Sequence, residues 1–115
     1  MTVLEQFAFI SFGVQLLHSL EELSTGFNKK WYLYKMPFRT FLAFEIFFSL
    51  FWGIVIFYKS FPARDGLLAF FMVLMFANGV QHLVWSGCVK KYVPGLVTAP
   101  IHIIIFLVFY FYIIF

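Results

Sequence analysis

Apolar residues along this chain come in four long runs, separated by three short polar stretches. The runs extend from about Val3 to Glu22, Phe38 to Tyr58, Gly66 to Ser86, and from Gly95 or Thr98 to Phe115. Each approaches the ~20 helical residues that cross a hydrocarbon core of ~30 Å. In lipid the backbone must satisfy its own polar groups, so runs of this length predict transmembrane helices. The connection LSTGFNKKWYLYKMP carries Trp31, Tyr32 and Tyr34, which suit a membrane interface, and it has room for a short interfacial helix. The connections KSFPARD and GCVKKYVP each hold a proline that helps end the preceding helix. No internal repeat, linker or low-complexity tail interrupts the pattern. Short connections make successive helices antiparallel. The expectation is an all-α membrane protein, one domain over residues 1–115, folded as a bundle of four transmembrane helices.

Composition agrees. Hydrophobic residues make up 63% of the chain and charged residues 11%, against about 25% charge in soluble domains. So few charges do not solvate a water-facing surface. The 19 phenylalanines suit helices that face acyl chains, and such outer surfaces are compatible with a homodimer. The net charge of +3 comes from basic residues placed between the apolar runs. That placement points to orientation and anionic headgroups, with no role in nucleic-acid binding. Lys29, Lys30, Lys35, Arg39, Lys90 and Lys91 fall on one side of the predicted topology, and Lys59 and Arg64 on the other. The basic side is the cytoplasmic one, so both termini are expected outside a cell (inner) membrane. The first run lacks a basic flank and a small-residue cleavage site, and is expected to be a retained span. Cys88 is the single cysteine, which excludes an intrachain disulfide and a thiolate-rich metal site. Glu5, near the outer end of the first run, is expected to be an interfacial, solvated carboxylate.

Ionisable residues inside a span are costly and mark function by default. In HSLEE, His18 lies one helical turn from Glu21 and Glu22, and Gln15 extends that face inward. The spacing is the reverse of the Glu-x-x-His ligand pairs of metal-binding bundles. In NGVQH, Asn78 and His82 share a face at i and i+4, and Gly79 allows another helix to approach. Glu45 stands among apolar residues in LAFEIFF, where a carboxyl must be protonated, paired with histidine or bound to metal. His102 lies one turn into the fourth run. At ~1.5 Å per residue, His18, Glu45, His82 and His102 lie roughly 6 to 10 Å inside their helix ends, all at the same face of the membrane. One polar centre is therefore expected. Its metal ligands would be His18, Glu21, Glu22, Glu45, His82 and His102, with His18, Glu21, Glu22 and His82 as the catalytic set. This donor chemistry suits one or two Zn²⁺, Mn²⁺ or iron ions. Asn78 would support the ligands from behind. In YVPGLVTAP, Pro94-Gly95 reads as a turn, and Thr98 as an N-cap with Pro100 in the first helical turn, which would fix the aim of His102.

The three motifs follow one another as H-x-x-E-E, N-x-x-x-H and Y-x-P-G-x-x-T. In that order, and with this hydropathy, the chain resembles the HXXEE-domain family, small multispanning membrane proteins mainly of bacteria. The resemblance covers roughly residues 14 to 102. It implies His18, Glu21, Glu22, Asn78, His82, Tyr92, Pro94, Gly95 and Thr98 as signature positions. Glu45 and His102 enter from depth alone. The resemblance supplies a class and leaves the reaction open. The residues point first to a metal-dependent membrane enzyme, a hydrolase or oxidoreductase acting on a lipid-like or apolar substrate. The alternatives are a metal-ion or proton transporter or channel, a metal-free lipid isomerase using a His–Glu acid–base pair, and a small structural subunit.

Overall fold

The computed structural model describes residues 1–115 and contains helices and no strands. They are α1 (Val3–Ser24), the single turn α2 (Phe27–Lys30), α3 (Phe38–Phe57), α4 (Arg64–Val89) and α5 (Ala99–Ile114). Every apolar run is a helix, and α2 falls in the connection expected to hold one. α1, α3 and α4 are each long and apolar enough to cross a membrane. α5 has 16 residues. It therefore rises about 24 Å, less than the ~30 Å of a hydrocarbon core.

Local chemistry sets the boundaries. Thr2 and Glu5 form a reciprocal capping box at the start of α1. α3 begins directly after Pro37. α4 ends where Lys90 turns left-handed at φ 57°. α5 starts late because residues 93–98 are held as a non-helical loop, buried except at Leu96 and Val97. Thr98 stands at the N-cap position and Pro100 in the first turn, as expected, but the Thr98 hydroxyl makes no capping bond. It bonds to Glu21 instead.

α1 and α4 form the centre of the bundle and touch each other, while α3 and α5 lie at opposite corners without contact. Gly79 permits a close approach of α4 and α5. A Cβ there would lie 2.6 Å from the Ala99 carbonyl oxygen of α5. The buried face of α1 is Ala8, Ser11, Gln15, His18, Ser19 and Glu22. Leu17 and Leu20 of the same helix point outward, 57% and 62% exposed. A helix with polar residues inside and leucines outside suits a bundle solvated by lipid.

Two apolar layers enclose the polar one. The larger includes Ala8, Trp52, Val55, Leu68, Phe71 and Met72. The smaller, formed by Phe27, Phe41, Trp85 and Val93, closes the other end. Beyond the larger layer, Glu5 departs from expectation. Its carboxylate pairs with Arg64 at 2.7 Å, and both side chains are mostly buried. The same guanidinium donates to the Val55 and Ile56 carbonyls at the end of α3, groups that a helix leaves unpaired. One arginine therefore ties α1, α3 and α4 together.

Candidate functional site

The end of α1 meets the end of α4 at two buried imidazoles. His18 Nε2 lies 3.1 Å from His82 Nε2. Glu22 Oε2 lies 3.6 Å from His18 Nε2 and 3.3 Å from His82 Nε2. Three potential ligand atoms, two nitrogens and one oxygen, thus surround one point. Ligand atoms about 2.0–2.1 Å from a tetrahedral ion lie roughly 3.3 Å apart, so these separations match those of a shared ion. The donor set is equally suited to sharing a proton.

The loop before α5 fixes the chemistry of His18. Five donors converge on the Glu21 carboxylate: the Tyr92 hydroxyl at 2.5 Å, the Gly95, Val97 and Thr98 amides at 3.0 to 3.1 Å, and the Thr98 hydroxyl at 2.8 Å. Such a cradle is the environment of an ionised carboxylate, which only accepts. Thr98 therefore donates to Glu21. Its oxygen, 2.6 Å from His18 Nδ1, accepts the proton of that ring nitrogen. His18 is held with its proton on Nδ1 and with Nε2 aimed at His82 and Glu22. Burial, then the bond to Glu21, holds the Tyr92 hydroxyl above its ordinary value of 10.0. Gly95 adopts φ +96°, and a Cβ there would stand 2.5 Å from His82 Cε1 and 2.8 Å from His18 Cε1. The loop backbone thus rests against both rings, with no room for a larger residue.

Of the six expected ligands, the structure gathers the ligand atoms of His18, Glu22 and His82 around one point and leaves Glu21, Glu45 and His102 outside that group. Glu21 is turned away into the loop, both oxygens occupied, so it positions His18 and does not face the centre. His102 Nε2 lies 3.1 Å from Gln15 Oε1. Gln15 Nε2 reaches Ser19 Oγ at 3.4 Å, and Ser19 donates to Glu45. His102 and Glu45 are therefore the two ends of one buried chain beside the centre. The His102 ring is 5.5 Å from that of His18, close enough to pack and outside the ligand group. Nδ1 of His82 and of His102 have no partner.

Asn78 also departs from expectation. It makes no side-chain hydrogen bond to the histidines and lines a cavity of about 550 Å³ with Gln15, Glu22, Glu45 and Gln81. Trp31 Nε1 donates to Gln81 Oε1 at 2.7 Å at one end of this chamber. Ser19, Gln81 and the relay role of Thr98 were not expected. Ser19 was open to detection, because Gln15, His18, Ser19 and Glu22 form a polar stripe at helical spacing. Thr98 and Gln81 depend on where a loop and a neighbouring helix come to rest.

Comparison with curated proteins and with solved structures finds no match. A family described as "protein of unknown function with HXXEE motif" matches residues 9–110. The matched region contains the HSLEE cluster, all three histidines and the loop that cradles Glu21, and the chain belongs to the HXXEE family.

Proposed function

We propose that this protein is a metal-dependent membrane enzyme acting on a lipid-like or other apolar substrate. His18, Glu22 and His82 hold one Zn²⁺, Mn²⁺ or iron ion. The observation that carries this reading is the mutual spacing of their three ligand atoms, 3.1, 3.3 and 3.6 Å, in a fully buried layer. Three protein ligands, one of which (Glu22) borders a chamber, fit the pattern of a catalytic site, where a structural site is closed by four. A bound ion would supply Lewis acidity toward a carbonyl or water. The chain's own residues do the rest. Glu21, through Thr98, keeps the His18 lone pair turned inward. Glu22 is the ligand that also borders the chamber, and Glu45, held by Ser19, stands on the same wall as a proton acceptor or donor.

The protein would sit in a cell (inner) membrane with four spans and both termini outside, surrounded by lipid. α5 serves as the fourth span although it is short. The buried loop at residues 93–98 occupies the depth its first turn would have filled, and Glu21 satisfies the loop's amides. Non-helical backbone is tolerated at membrane depth when it is buried in protein in this way. Transport fits less well, because the larger apolar layer fills the bundle between the polar centre and the Glu5–Arg64 pair.

A second reading has an observation in its favour. A metal-bound histidine normally donates its other ring N–H, and His82 Nδ1 has no partner. An acid–base centre would instead put the proton on His82 Nε2, shared toward His18 and Glu22, and leave Nδ1 as a bare lone pair. That arrangement suits an isomerase.

Elemental analysis of protein purified without chelators separates the two. The metal reading expects about one transition-metal ion per chain in the wild type and a large loss in His18→Ala. Metal-free wild-type protein whose melting temperature ignores added metal would promote the acid–base reading.

A further inference from the structure

The chamber beside Glu22 changes character along its length. Trp31, Met36 and Thr40 line the end where α3 begins, Glu22 and Glu45 its middle, and Phe48, Leu74 and Met75 the far end. At ~1.5 Å per residue, Thr40 to Phe48 spans about 12 Å, with Glu45 a little past halfway. A cavity of about 550 Å³ falls within the ~300–1,000 Å³ of small-molecule sites.

The residues next in sequence to the lining ones at the α3 end carry one sign of charge. Lys30 precedes Trp31, Lys35 precedes Met36 and Arg39 precedes Thr40, and all three are exposed. None takes part in an ion pair. No acidic residue occurs between Leu23 and Phe44 to offset them. The chamber therefore runs from a basic mouth through a polar middle to an apolar end.

We propose that the chamber binds an anionic lysophospholipid-like amphiphile. Its headgroup lies at Lys30, Lys35 and Arg39, its polar linkage beside Glu22 and Glu45, and its single tail against Phe48, Leu74 and Met75. The chamber has one apolar end, which suits a single chain. This names the substrate class of the enzyme proposed above and rests on that reading for the fate of the linkage; binding itself needs no metal.

The test is native mass spectrometry of the full chain in a non-ionic detergent. The probes are myristoyl lysophosphatidylglycerol and myristoyl lysophosphatidylcholine. The anionic probe should bind about tenfold more tightly, because its headgroup carries a net negative charge beside three basic residues and the choline headgroup does not. Replacing Lys30, Lys35 and Arg39 together by Gln should erase the preference and leave the tail affinity. Ala77→Trp, which fills the chamber from its wall, should weaken both probes at least tenfold. Equal binding of the two probes by the wild type, or wild-type binding by a folded Ala77→Trp, overturns the proposal. Metal content measured on the same samples keeps the two ideas apart. Metal-free protein that still prefers the anionic probe sinks the metal reading and sustains this one.

Discussion

Glu21 and Glu22 are neighbours in sequence with opposite duties. Glu22 faces the imidazoles, while Glu21 gathers a loop and, through Thr98, sets the proton on His18. Two substitutions separate those duties from simple packing. Glu21→Ala leaves three amides and the Thr98 hydroxyl without their acceptor. The loss should be about 3 kcal/mol of stability and roughly 10- to 100-fold in metal affinity. Tyr92→Phe removes a single donor at the rim, so it should cost about 1 kcal/mol and leave metal affinity within a few-fold. Denaturant unfolding in detergent and metal competition check both. Because the Tyr92 proton is held above the ordinary tyrosine value, its contribution is present at neutral pH and is lost only as pH rises through that elevated value. The difference between wild type and Tyr92→Phe should therefore be flat from neutral to mildly alkaline pH. At this scale the sequence showed the ionisable groups and their depth. It did not show which carboxylate faces the histidines, because that turns on the path of residues 92–98.

The helices were legible as apolar runs, and their ends less so. α4 is longer than its apolar run, because Arg64 and Asp65 form its first turn and Gly87, Cys88 and Val89 continue it to Lys90. α5 is shorter, because Glu21 pulls the preceding loop into the bundle and delays the helix to Ala99. Neither shift follows from hydropathy alone. The end of α4 offers a test of local strain. Lys90 holds φ 57°, a conformation that costs an L-residue roughly 1–2 kcal/mol. Lys90→Gly should therefore raise stability by about 1 kcal/mol, read as an upward shift of the unfolding midpoint with unchanged slope. No gain would mean that the lysine side chain contributes something the backbone geometry does not reveal.

For the molecule as a whole, the polar layer is enclosed by an apolar cap at one end and a larger apolar core at the other. That layered order follows from antiparallel helices whose ionisable residues share one depth, which sequence positions alone indicated. The Glu5–Arg64 lock was missed because its partners are 59 residues apart. The proposed orientation puts the chamber mouth and the basic connections in the cytoplasm. In a Cys88→Ala background on intact cells, a cysteine at position 63 should label from outside while one at position 30 is protected. The reverse pattern would invert the topology and leave the site geometry untouched. The central claim is that His18, Glu22 and His82 hold one ion together, and X-ray absorption spectroscopy of the zinc-loaded protein tests it most directly. The account predicts two imidazole nitrogens at ~2.0–2.1 Å and a carboxylate oxygen at ~2.0–2.2 Å, with one imidazole lost in His82→Ala. A first shell without imidazole scattering, or one unchanged by His82→Ala, would contradict it.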